Sequence, residues 1–198
     1  MREIDLSTFD DRDWNDGRRL RKALWFFVGQ PVLRSAIIPG NSLRIKLLRL
    51  FGASIAANVA VRPGVRVKYP WLLSVGEYTW IGEDCWIDNL ARVDLGAHAC
   101  LSQGTYLCTG NHDWSDRAFH MVCRAIRVED GAWIGAQSVV CPGVTVHQLS
   151  VLMVGSVARR DVPEREVHGG NPAAFVRYRN FQVDATLEAP QPRQATAR

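Results

Sequence analysis

The sequence predicts a mainly β fold, a solenoid of stacked three-strand coils with an N-terminal helical segment and one loop excursion. Three observations carry that prediction. Aliphatic residues recur every six positions, at Ile55, Val61, Val67, then Val75, Ile81, Ile87, then Leu95, Leu101, Leu107. The same period returns at Val128, Ile134, Val140, Val146 and Leu152. Small or β-branched residues stand four positions further on at Val65, Thr79, Ala99, Thr105, Ser138, Val144 and Ser156. Neither a helix nor an alternating strand has a period of six, whereas three short strands joined by tight turns make one triangular coil of about 18 residues.

Residues 1–52 read as an N-terminal arm and helical segment. Residues 1–17 show little periodicity. From Gly17 to Phe51 the pattern turns helical, with Leu20, Leu24, Phe27 and Val28 forming one stripe predicted to pack on the domain beyond. Pro31 is expected to break or kink that helix, and Pro39-Gly40-Asn41-Ser42 to form a turn with Ser42 as N-cap of a second helix ended by Gly52. In that helix Arg44, Lys46 and Arg49 accompany Leu43, Leu47 and Leu50. Residues 18–51 therefore have two readings, a helical pair packed on the coils or a basic amphipathic element in peripheral contact with a membrane. The modest charge favours packing.

The β region spans 53–160. Its register slips by two residues at one point of each coil, so that Leu73-Ser74-Val75, Val93-Asp94-Leu95 and Ile126-Arg127-Val128 are equivalent. Val75 to Leu95 is twenty positions and Leu95 to Val128 is thirty-three, which isolates a thirteen-residue insertion inside the loop 108–125. Turn positions carry Gly and Asp, residues that tolerate the backbone angles tight turns need. Residues 161–180 are expected to pack on the coils, and 181–198, rich in Pro, Gln and Ala, to form a disordered tail.

Composition narrows the function classes. The hydrophobic fraction of 47% and charged fraction of 22% are those of an ordinary globular protein. The net charge of +4 is mild, with basic residues grouped at Arg18–Lys22, Arg34–Arg49 and Arg159–Arg179. Five dispersed cysteines without a CxxC pair read as free thiols in a reducing compartment. The polar start is unlike a signal peptide, and Ala23–Ile38 is too short and broken to span a bilayer. A cytoplasmic protein is expected, with contact at the inner face of the membrane left open. No GxxxxGKS or GxGxxG element is present.

Several segments resemble one family closely: LLRLFGA, VRPGVRVKYPW, IGEDCWI, LGAHACLSQGTYLCTGNHD, the WIGAQSVVCPGVTV run and HGGNPAAFVRYR. They are similar to hexapeptide-repeat acyltransferases, and more narrowly to the colanic-acid biosynthesis acetyltransferase group, related to maltose and galactoside acetyltransferases. The resemblance covers most of residues 47–180. It implies a left-handed parallel β-helix, an exception to the usual right-handed crossover. It also implies a homotrimer with sites between subunits, acetyl-CoA as co-substrate with no metal, a saccharide acceptor (free or lipid-linked) from exopolysaccharide assembly, and no nucleic-acid partner.

O-Acetyl transfer needs a base for the acceptor hydroxyl, a donor for the developing oxyanion and a slot that aligns thioester and hydroxyl. His112, in TGNHD at the start of the insertion, matches the family's catalytic histidine. Asn111 and Asp113 flank it, able to orient ring or substrate or simply to cap the loop. Asn89 approximates an acceptor-contacting asparagine of related sugar acetyltransferases, with a turn role as the alternative. By the same resemblance Trp133, Gly135, Ala136, Gly155 and Ser156 would line the coenzyme, Arg159, Arg160 and Arg177 would meet its phosphates, and Pro172 would pack near adenine. Ordinary packing for Trp133 and a solvated rim for the arginines are the competing readings. Among the other histidines His98 reads as a turn residue, His120 as an acceptor contact or merely exposed, and His147 and His168 as structural. They do not form a convincing zinc-hydratase set. Acetylation of another small acceptor and a metal-dependent hydratase on the same scaffold are the rival functions.

Overall fold

A computed structural model describes residues 4–9, 19–38 and 40–181. The chain forms a left-handed parallel β-helix whose three faces are parallel sheets of short strands, with helical elements at one end. The predicted register is the observed one. Ile55 lies beside Val75, Val75 beside Leu95, Leu95 beside Val128 and Val128 beside Val146. On the second face Val61, Ile81, Leu101, Ile134 and Leu152 follow one another, and on the third Val67, Ile87, Leu107, Val140 and Ala158. None of these residues exceeds 7% exposure. Each aliphatic side chain withdrawn from water contributes about 1.5–3 kcal/mol, so every coil is held by its own inward triad.

The small residues four positions on are buried as well and close the corners. Thr79 donates to the Gly96 carbonyl and accepts from the Ala99 amide, while Ser138 donates to the Met153 carbonyl and accepts from the Ser156 amide. A hydroxyl at these corners satisfies backbone groups that the turn would otherwise leave unpaired.

The helical segment departs from the expected stripe. Helix α1 (Arg19–Leu24) runs through a π-helical turn at Trp25–Gly29 into α2 (Gln30–Arg34). The residues that pack on the coils are Trp25, Gly29 and Leu33, all buried. The Trp25 indole N–H donates to the Val67 carbonyl at 2.8 Å, and a Cβ at Gly29 would lie 2.1 Å from the Trp25 ring. That anchor turns the predicted stripe outward, leaving Leu20, Leu24, Phe27 and Val28 at 75%, 48%, 73% and 53% exposure. Pro31 continues the helix, because the wide turn before it absorbs the missing amide. Helix α3 (Asn41–Leu50) starts one residue before the expected cap. Ser42 is inside it, and the Asn41 amide instead holds the Val59 carbonyl and the Val61 amide, each at 2.7 Å. Among the described residues no helix is long and apolar enough to cross a membrane.

At the other end Glu166–Gly169 extends the second sheet beside Val151–Leu152, and Ala174–Tyr178 pairs antiparallel along its edge. Residues 161–180 thus pack by adding strands. The expectation of a disordered tail falls, from Gln182 onward, outside the described residues.

Candidate active site

The insertion is a hairpin. Gly110–His112 pairs antiparallel with Met121–Cys123, with His112 opposite Met121. Between them the chain turns tightly: Asp113 accepts from the Ser115 amide at 2.9 Å and from its hydroxyl, and the Asp113 amide donates to the His120 carbonyl. The Ser115 hydroxyl holds the Asp113 carboxyl below its usual range. The Asp113 carboxylate is engaged in the loop-capping role that competed with substrate orientation.

His112 is held by three contacts from two residues, Phe119 and Phe9. Its Nδ1 lies 2.8 Å from the Phe119 carbonyl oxygen, and a carbonyl can only accept, so Nδ1 carries the proton and donates. The neutral ring therefore keeps a lone pair on Nε2. The Phe119 ring stacks on the imidazole at 4.4 Å and 9°. Phe119 reaches this pose with φ of 55°, a left-handed backbone held by its Asp116 contact, the Phe119 amide donating to the Asp116 carbonyl. The Phe9 ring lies 5.7 Å away at a tilt. Residues 4–9, read from the sequence as part of an arm without periodicity, clamp this loop: the Asp5 amide donates to the Arg117 carbonyl at 2.9 Å.

His112 lines a cleft of about 410 Å³ together with Asn111, Asp113, Trp114, Val122, Arg124, Cys141, Pro142 and Arg159. Two cations, one hydrogen-bonding base and an apolar wall form a site able to take a proton beside an anionic or developing-anionic group. Arg124, Cys141 and Pro142 were not singled out from the sequence. Their only signal is position, Arg124 just past the returning strand and Cys141 beside Cys108 by the register of the third face. Burial raises the thiols of Cys123, to about 11, and of Cys141, so neither is a ready nucleophile.

The structure separates the other candidates. Asn89 is fully buried, its carbonyl oxygen accepting from the Tyr69 amide at 2.9 Å and its NH₂ donating to the Tyr69 carbonyl at 2.7 Å. It is a corner brace, which corrects its reading as an acceptor contact. Ser156 is buried too, its hydroxyl accepting from the Gly170 amide and its amide bonded to Ser138, so its side chain is not open to a ligand. Trp133 is on the second face, half-exposed, donating to the Ser102 hydroxyl at 2.9 Å. Gly135 and Ala136 follow it at the corner, where a Cβ on Gly135 would meet the Val154 amide nitrogen at 2.5 Å, and Gly155 faces open space. Arg159 is brought to the His112 cleft, whereas Arg160, Pro172 and Arg177 are exposed elsewhere, Arg177 opposite Val167 on the edge strand. The remaining histidines have partners of their own: His98 stacks on Tyr78, His120 pairs with Asp116, His147 with Glu129 and His168 with Glu166.

No family model matches the chain. A protein of Escherichia coli K12 named for colanic acid biosynthesis as the acetyltransferase WcaF is 35% identical over 176 residues, 88% of this chain and 97% of that one. The galactoside O-acetyltransferase of the same organism is 26% identical over 137 residues, 68% of each. Among solved structures, a hexapeptide-repeat acetyltransferase of Vibrio cholerae complexed with acetyl coenzyme A superposes with a TM-score of 0.75 at 24% identity, covering 84% of this chain and 91% of that one. A galactoside acetyltransferase in complex with coenzyme A gives 0.72 at 22% identity, covering 87% and 86%.

Proposed function

The chain belongs to the colanic-acid type of hexapeptide-repeat acetyltransferases, and on that premise we propose that it moves an acetyl group from acetyl-CoA to a saccharide hydroxyl with His112 as general base. One observation carries the reading: the Phe119 carbonyl engages Nδ1 and leaves Nε2 of His112, a cleft-lining residue, as the proton acceptor. Nε2 takes the proton of the acceptor hydroxyl as its oxygen attacks the thioester carbonyl. The carbon–sulfur bond then breaks, and the imidazolium returns its proton to the departing thiolate sulfur. Arg124 and Arg159, on the wall of the same cleft, supply the positive charge that an oxyanion or a phosphate group requires. The two protonated-at-rest thiols beside the site support direct transfer over an acyl-enzyme.

Coenzyme A supplies an activated acyl group on a good leaving sulfur. The corner at Ala136 and exposed Gly155, where nothing larger than a methyl projects, fits its extended arm, with the exposed Trp133 at its border and buried Gly135 letting the two coils stack beneath it. Arg159 and Arg160 are exposed cations at the end of the adjoining strand. Exopolysaccharide building blocks are the acceptors this reading favours, with a homotrimer as the working assembly in the cytoplasm. Incubation with acetyl-CoA and a panel of free and lipid-linked sugars tests it. The reading requires acceptor-dependent thiol release with a matching mass gain on the sugar of one acetyl group in place of a hydrogen. Transfer confined to amines or antibiotics, with every sugar inert, would overturn it.

A further inference from the structure

The apolar face that α1 and its π-helical turn present to solvent lies outside the residues that line the His112 cleft. We propose that this face docks the protein on an anionic phospholipid bilayer, with Leu20, Leu24, Phe26, Phe27 and Val28 entering the interfacial layer. Three observations converge on that partner. The helix has two apolar faces, and the coils use the one formed by Trp25, Gly29 and Leu33, so the outward one is not core that failed to pack. Its outward residues are large: Phe26 and Phe27 are 63% and 73% exposed and Leu20 75%. Around them positive charge predominates, with Asp84 and Asp88 of the next coil the acidic groups that line the adjoining grooves. From Gly17 to Gly76 the chain carries eleven lysines and arginines and not one aspartate or glutamate.

Three of these arginines are held by neutral groups. Buried Arg44 donates to the carbonyls of Leu33, Ser35 and Ile38, Arg49 to those of Ile55 and Ala56, and Arg21 to that of Phe51. Neutral carbonyls satisfy the hydrogen bonds of these guanidinium groups and leave their positive field in place. Arg19 and Arg34, both exposed, flank the apolar face directly. Apolar side chains flanked by a net excess of cations match the headgroup region of an anionic bilayer in both respects, with lipid phosphates as the anions that meet that excess. Residues 1–16 carry six carboxylates against two arginines, so the first 76 residues keep a net excess of seven positive charges. No helix in the described residues is long enough to span, so the contact is in the plane of the interface.

The test needs neither donor nor acceptor, so its failure would leave the transfer reading standing, and failure of transfer would leave it standing in turn. The full chain is sedimented with vesicles of phosphatidylglycerol and phosphatidylethanolamine, and with vesicles of phosphatidylcholine alone, at low and high salt. Binding is expected on the anionic vesicles, weakened by salt. Leu24→Ser with Phe27→Ser should reduce partitioning at least tenfold, and Arg19→Gln with Arg34→Gln, both at exposed positions, roughly fivefold for each cation removed. Wild-type chain that ignores anionic vesicles, or variants that bind them equally well, overturn the proposal. So does a Leu24→Ser, Phe27→Ser chain whose sedimentation shows a dissociated assembly, because the face is then an interface between copies.

Discussion

Phe119 offers the sharpest test of how the hairpin sets up its histidine. Phe119→Ala leaves the backbone carbonyl that accepts from Nδ1 but removes the ring stacked at 4.4 Å on the imidazole. An aromatic pair of this kind contributes about 0.5–1.5 kcal/mol beyond its area. If that energy holds the ring in its working pose, kcat/KM should fall by roughly two- to twelvefold, a factor of ten corresponding to about 1.36 kcal/mol. Because Phe119 is part of a surface loop and not of the buried core, the melting temperature should hardly move. The assay is steady-state thiol release against acceptor concentration, paired with a thermal melt. A variant with unchanged kcat/KM, or one whose lost activity tracks lost stability, refutes the argument that the stack positions the base. Phe9→Ala, at 5.7 Å and tilted, should show a smaller effect in the same direction.

The scaffold makes its own predictions. Gly135→Ala places a Cβ 2.5 Å from the Val154 nitrogen and 2.7 Å from the Met153 carbonyl carbon, backbone atoms that cannot move aside, so a loss of about 1–3 kcal/mol should appear in denaturant unfolding. Gly155→Ala meets nothing within 4 Å and carries only the cost of φ at +66°, roughly 1–2 kcal/mol, with coenzyme binding the second readout. Asn89→Ala leaves the Tyr69 amide unpaired inside the coil and its carbonyl with the Leu72 amide alone, about 1–3 kcal/mol of stability by urea titration with catalytic constants of the folded fraction intact. Burial raises the Cys85 thiol to about 12 from 9.0. The folded state therefore keeps that proton where the unfolded chain has lost it, so the stabilisation is full below about pH 9 and declines as pH rises from 9 toward 12. Native Cys85 should resist alkylation at pH 8 and react on unfolding, followed by peptide mass mapping.

Much of this architecture was legible in the residues because a period of six has few physical solutions. Ile81, Leu101 and Ile134 must point inward if they repeat at that spacing, and the slip at Leu73–Val75 fixes which strands are neighbours. The length of the insertion followed from the same register, and the histidine beside it lines a cleft. What lay beyond sequence reasoning was mostly tertiary. The stripe Leu20–Val28 has correct helical spacing, yet Trp25 wins the contact because its indole N–H reaches the Val67 carbonyl and Gly29 makes room for the ring. Asn89 resembles a ligand-binding residue in its motif, while its amide is taken by Tyr69, twenty positions earlier in the preceding coil. The group that orients His112 is a backbone carbonyl, which leaves no trace in residue type. Only the left-handed backbone of Phe119 marks it, and that conformation is invisible until the loop is folded.

The central claim is that Nε2 of His112 takes the acceptor's proton, and single-turnover acetyl transfer by His112→Ala and His112→Gln tests it most directly. Both variants should bind acetyl-CoA as the unmodified chain does while the rate of transfer falls by about 10²–10⁴, the usual contribution of a general base. A His112→Gln chain that transfers acetyl at the unmodified rate, with coenzyme bound normally, would contradict the account.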